Sequence, residues 1–158
     1  MRTRFLAQGA LIGAFYVLIS LAAAPFSSGL IQVRLSEALC VLPWFTPAAI
    51  PGLFLGCLLA NLLTGAVLYD VIFGSLATGL AALCTYILRR NGCSKWLAPL
   101  PAVIINALVV GYLLAYVYQV GVPMALCALS VAVGQATACY SLGMPLLGFL
   151  EKQTGLFD

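Results

Sequence analysis

Histidine is absent from this 158-residue chain, and acidic residues are scarce: four Asp and Glu in total, against seven Lys and Arg. Without histidine, the commonest general base and metal ligand are missing. The six cysteines (Cys40, Cys57, Cys84, Cys93, Cys127 and Cys139) show no C-x-x-C spacing, and five lie in apolar stretches. They read as small buried filler rather than a metal site or disulfide framework. No G-x-x-x-x-G-K-[ST] phosphate loop occurs, which removes that route to ATP hydrolysis. No serine has a plausible base. An intramembrane enzyme is poorly supported on these grounds, and no cofactor or metal is expected. The net charge of +3 is too small to suggest a nucleic-acid partner.

What is present is hydrocarbon. The chain is 64% hydrophobic and 7% charged, with a mean hydropathy of +1.14. A soluble domain is typically about 25% charged, so this composition is that of an integral membrane protein. A spanning helix needs about 20 mostly apolar residues, so the chain should hold about six spans joined by short loops. The expected fold is all-α: one polytopic transmembrane domain over residues 1–158, with no room for a soluble catalytic domain.

The first span is expected from about Phe5 to Ala24. It is long for a signal-peptide core, and Pro25 follows it, so it reads as a retained helix. Gly9 with Gly13, and Ala10 with Ala14, form offset small-residue pairs that suit either internal packing or a partner helix. Pro25 to Gly29 is a turn by composition. Further spans are expected from about Leu30 to Phe45, Ala48 to Leu63, Tyr69 to Leu88 and Pro99 to Tyr118. Gly52, Gly56 and Ala60 share one stripe in the third span, and Gly74, Thr78 and Ala82 share one in the fourth. The last apolar stretch, Pro123 to Leu150, is too long for one straight helix, and Pro145 is expected to kink or end it.

The basic residues orient the bundle. With six spans, Arg2, Arg4, Arg89, Arg90, Lys95 and Lys152 fall on one side and only Arg34 on the other. The positive-inside rule then places both termini in the cytoplasm.

Against this background, L-I-Q-V-R-L-S-E-A-L-C-V-L (Leu30 to Leu42) stands out, because it carries Arg34 and Glu37. Three residues apart on a helix, the two share a face and can reach each other. Ionisable groups inside a span are costly and mark functional sites by default. The orientation brings Arg34, Glu37, Asn61 and Asp70 to a similar depth near the outer face, with Gln32, Tyr69, Tyr116 and Gln119 at the same level. Bland readings stand beside the functional one: a mutual Arg34–Glu37 salt bridge, snorkelling of Arg34, helix capping by Asp70, and interfacial anchoring by the tyrosines. Taken together, the groups favour a pocket for a polar ligand entering from outside. A bundle with such a pocket and no engine is either driven by an ion gradient or is the binding subunit of a larger machine.

At I-Q-V-R-L-S-E-A-L (Ile31 to Leu39), P-G-L-F-L-G-C-L-L-A-N (Pro51 to Asn61) and D-V-I-F-G-S-L-A-T (Asp70 to Thr78), the chain resembles the QueT family. The similarity is strongest over about the first ninety residues and loose across Pro99 to Asp158. Members of that family are substrate-binding (S) components of energy-coupling factor (ECF) transporters for queuosine precursors. The resemblance implies a six-helix protein of the bacterial plasma membrane that captures a 7-deazaguanine near the outer face. It further implies a coupling transmembrane subunit and two cytoplasmic ATPase subunits as partners, with an A-x-x-x-A stripe on the first helix, here Ala10 and Ala14, facing the coupling subunit.

A guanine-like edge presents a ring N–H beside an exocyclic amine, and a carboxylate accepts both. The resemblance makes Glu37 the expected acceptor and Asp70 the second choice. Asn61 and Gln32 would serve the carbonyl, Arg34 would orient Glu37 or donate to the same oxygen, and Tyr69 would provide a stacking wall. The alternatives are an S component for another vitamin or nucleobase, a self-sufficient gradient-driven carrier, and a membrane chaperone or structural subunit without a ligand.

Overall fold

The computed structural model describes residues 2–24 and 34–153. Among them there is no strand; the chain forms six helical elements. These are α1 (Arg2–Ala23), α2 (Leu35–Trp44), α3 (Ala49–Leu63), α4 (Asp70–Arg90), α5 (Lys95–Val117) and α6 (Met124–Glu151). Four of them, α1, α4, α5 and α6, are long and apolar enough to cross a membrane, and α2 and α3 are shorter apolar helices. The chain is a polytopic helical membrane protein. The turn expected at Pro25 to Gly29 and the first residues of the expected second span lie outside the described residues.

α2 is the central element. It is a 3₁₀ helix of ten residues, eight of them buried, and it contains Pro43. Runs of this type beyond three or four residues are uncommon. At about 2.0 Å rise per residue, ten residues cover a length an α-helix would need about thirteen to span. α2 packs against α1, α3, α4 and α6, so nearly every side chain on it meets protein.

The small-residue stripes divide into two kinds. Gly9 and Gly13 of α1 lie directly against Gly52 and Gly56 of α3: a Cβ on Gly52 would stand 2.5 Å from the Gly9 carbonyl oxygen, and one on Gly56 would stand 2.9 Å from that of Gly13. Without a hydrophobic driving force in lipid, such backbone-to-backbone approach is what holds two helices together. Ala10 and Ala14, by contrast, are exposed on the opposite side of α1. Leu6, Leu11, Phe15 and Leu18 are exposed beside them, which leaves α1 the least enclosed of the four long helices.

Of the two outcomes expected at Pro145, a kink or an end, the end does not occur. Pro145 neither ends the helix nor starts a separate segment. Helical structure is continuous from Met124 to Glu151, with a π turn at Cys139–Gly143 immediately before Met144 and Pro145. Proline has no N–H to donate and its ring crowds the preceding turn; a wider turn at that point accommodates both effects. Similar π turns open α4 (Asp70–Gly74) and close α5 (Leu113–Val117).

Gly52→Ala is expected to destabilise the bundle by about 1–3 kcal/mol, as overpacking at a close contact does. Gly148→Ala, where an added Cβ meets nothing within 4 Å, should be neutral or stabilising because it removes a helix-interior glycine. Thermal unfolding of the detergent-purified variants checks both.

Candidate functional site

A 3₁₀ helix has three residues per turn, so side chains three apart lie above one another. Glu37 and Cys40 form such a pair, and the Cys40 thiol donates to Glu37 Oε2 at 2.9 Å. The Glu37 side chain is completely buried. Its other partners come from three further helices: the Tyr16 hydroxyl of α1 donates to Oε1 at 2.6 Å, the Thr78 hydroxyl of α4 to Oε1 at 3.1 Å, and Asn106 Nδ2 of α5 to Oε2 at 3.2 Å. From α6, the Cys139 thiol donates to the Glu37 backbone oxygen at 3.4 Å. Four neutral groups thus converge on this one carboxyl group.

Arg34 does not pair with Glu37. It precedes the helix with an extended backbone (φ −86°, ψ 94°), so the helical spacing that would stack the two side chains does not apply to it. Its guanidinium turns instead to Asp70 at the start of α4, with Nη2 3.2 Å from Oδ2 and 3.4 Å from Oδ1. Both side chains are largely buried, at 14% and 6% exposure. The Tyr118 hydroxyl, just past α5, also donates to Asp70 Oδ2, at 3.2 Å. Burial, and then the Asp70 charge, push the Tyr118 phenol above its usual pKa, which keeps it a donor. Tyr69, not Asp70, holds the N-cap position of this turn; the Asp70 carboxylate is an ion-pair partner. A Cβ on Gly74, one turn on, would come within 2.7 Å of Asp70 Oδ1, so the glycine is what gives this carboxylate its room.

A polar chain links the two carboxylates. From Glu37 it runs through the Thr78 hydroxyl to the Cys57 sulfur at 3.5 Å, from that sulfur to Asn61 Nδ2 at 3.7 Å, and from Nδ2 to the Asp70 carbonyl at 3.2 Å. Glu37, Arg34, Asp70 and Asn61 thus belong to one network spread over α2, α3, α4 and α5. Among the described residues, Asn106 Oδ1 is buried without a hydrogen-bond partner.

Two expected site residues stand apart. Gln32 lies outside the described residues. Tyr69 is exposed, with its ring parallel to that of Phe73 at 6.5 Å, and makes no wall of the cluster. Tyr112 and Tyr116 are likewise exposed and lie against each other at 4.7 Å. The residues that surround Glu37 in their place, Tyr16, Cys40, Thr78 and Asn106, were legible only in part. Thr78 lies on the small-residue stripe of α4 and Asn106 is a lone amide in an apolar span, but Tyr16 and Cys40 look like ordinary span residues. Cys40, Cys57 and Cys139 are buried and free, as fillers are, yet each makes a polar contact within this network.

The sequence model of the family described as QueT transporter matches residues 6–152. No curated protein matches the chain, and no solved structure matches it.

Removing one partner of a buried ion pair costs about 3–5 kcal/mol because the other charge is left unpaired, whereas replacing both is far less costly. Arg34→Met alone should therefore destabilise the protein by about that amount, and Arg34→Met with Asp70→Leu by much less than the sum of the two single changes. A double-mutant cycle on unfolding midpoints measures the difference.

Proposed function

Because the chain belongs to the QueT transporter family, whose model covers nearly its whole length, we propose that it is the substrate-capturing S component of an ECF-type importer, binding a 7-deazaguanine queuosine precursor at the outer face of the bacterial plasma membrane. Its general role is membrane transport. The observation that most supports a ligand site is the buried network of Glu37, Arg34, Asp70 and Asn61, drawn from separate helices and held at a cost that packing alone does not require. A carboxylate in such a site accepts the adjacent N–H groups of a guanine-like edge, and Asn61 or Arg34 can serve its carbonyl. Both termini would face the cytoplasm, as the basic residues suggest.

Transport by this chain also needs a source of energy. Among its residues there is no phosphate loop, which agrees with reliance on a coupling transmembrane subunit and two cytoplasmic ATPase subunits. The exposed face of α1 around Ala10 and Ala14 is the surface proposed for the coupling subunit, since small residues there would let a partner helix approach closely.

The test of the substrate is a binding titration on the detergent-purified chain with the deazaguanine series, using guanine and riboflavin as controls. Tight binding of at least one deazaguanine, selective over both controls, is expected; binding of none overturns the assignment. Uptake by vesicles holding this chain alone would make it a gradient-driven carrier instead. For the partner surface, Ala10→Trp and Ala14→Trp should reduce co-purification with the coupling subunit about tenfold or more, equivalent to about 1.4 kcal/mol, while leaving ligand affinity unchanged. Undiminished co-purification would remove this face from the interface.

A further inference from the structure

Away from the polar network, the outer surface of the bundle carries a groove of about 360 Å³ between α3 and α4. Ile50, Pro51 and Phe54 line it from α3, and Leu76, Leu80 and Leu83 from α4. Gly79 belongs to the same lining and leaves it room: a Cβ there would stand 3.2 Å from Phe54 Cδ2. Every residue in this lining is apolar.

The α4 side of the groove continues beyond it. Leu76, Leu80, Leu83, Ile87 and Arg90 follow one another at spacings of three or four residues, which keeps them on one face of the helix. All five are exposed. At a rise of 1.5 Å per residue the stripe covers roughly 21 Å. One leaflet contributes about 15 Å of hydrocarbon, so the stripe is long enough to run from the bilayer midplane to the headgroups.

A second observation concerns the charge at its end. Arg89 lies over the Trp44 ring at 5.7 Å, and Lys95 pairs with Glu151 at 2.9 Å. Among the described residues, Arg90 forms no ion pair. An apolar groove that leads to an uncommitted guanidinium is complementary to a molecule with a hydrocarbon tail and an anionic head.

We propose that the α3–α4 groove holds one acyl chain of an anionic phospholipid, with the phosphate on Arg90. A guanidinium donates two parallel N–H groups to a phosphate, and its apolar stem can lie along Ile87. With both termini in the cytoplasm, as proposed above, Arg90 meets the leaflet in which basic sites between helices bind anionic headgroups. The lipid would hold together the two helices that supply Asn61, Asp70 and Thr78 to the network. This interaction is separate from substrate capture and does not depend on it.

The test is a native mass-spectrometric titration of the purified full-length chain with phosphatidylglycerol and phosphatidylcholine of identical acyl chains. Wild type should retain one phosphatidylglycerol about fivefold more tightly than phosphatidylcholine, the increment that one basic side chain gives beside anionic lipid. Arg90→Gln should bring that ratio towards one. Lys152→Gln, which removes an exposed charge beyond the end of α6, should leave it unchanged. Leu80→Trp, at a half-exposed position, should fill the groove and weaken both lipids about tenfold. Equal affinity for the two lipids in wild type, or an equal loss of preference in Arg90→Gln and Lys152→Gln, would overturn the headgroup assignment. Undiminished lipid binding in Leu80→Trp would overturn the groove.

Discussion

A carboxylate enclosed among apolar helices is the constraint around which this bundle is built. Glu37 sits on the most buried helix, and four elements send a donor towards its side chain or lie next to one that does. Leaving a buried carboxyl group without hydrogen-bond partners is costly, so the surrounding helices have little freedom in depth or rotation. Tyr16 fixes α1, Thr78 fixes α4 and Asn106 fixes α5 relative to α2. The close glycine contacts between α1 and α3 then complete an arrangement whose polar and steric requirements agree.

Departures from α-helical geometry recur where this network is made. The 3₁₀ winding of α2 stacks Glu37 over Cys40, and the π turn at Asp70–Gly74 lies where Asp70 meets Arg34 and Tyr118. The π turn at Cys139–Gly143 begins with the residue whose thiol donates to the Glu37 backbone. Such turns are frequent at functional sites because they re-aim side chains and free backbone groups within a helix. Here they let short polar side chains converge from several helices without opening the hydrophobic packing around them.

Much of this was legible from residue types. Apolar runs punctuated by prolines and basic pairs gave the six-helix membrane class, and the scarcity of acids made Glu37 and Asp70 conspicuous. Arg34, Glu37, Asn61 and Asp70, which the depth argument grouped, share one hydrogen-bonded network. Their pairing was hidden, because it depends on the backbone at one residue: extended at Arg34, it directs the guanidinium to Asp70 rather than to Glu37. Tyr16 escaped notice because a lone tyrosine in a span resembles an interfacial anchor, whereas Tyr69, expected at the site, is exposed beside Phe73. The glycine stripe on α1 could be internal or external by spacing alone; only the placement of α3 distinguishes Gly9 and Gly13 from Ala10 and Ala14.

The central claim is that the packing of the bundle depends on the hydrogen bonds that converge on Glu37. Thermal unfolding of the detergent-purified Glu37→Leu variant tests it most directly. The account predicts a loss of about 3 kcal/mol or more, because Tyr16, Thr78 and Asn106 each lose a buried partner at once. An unfolding midpoint equal to that of the wild type would contradict it.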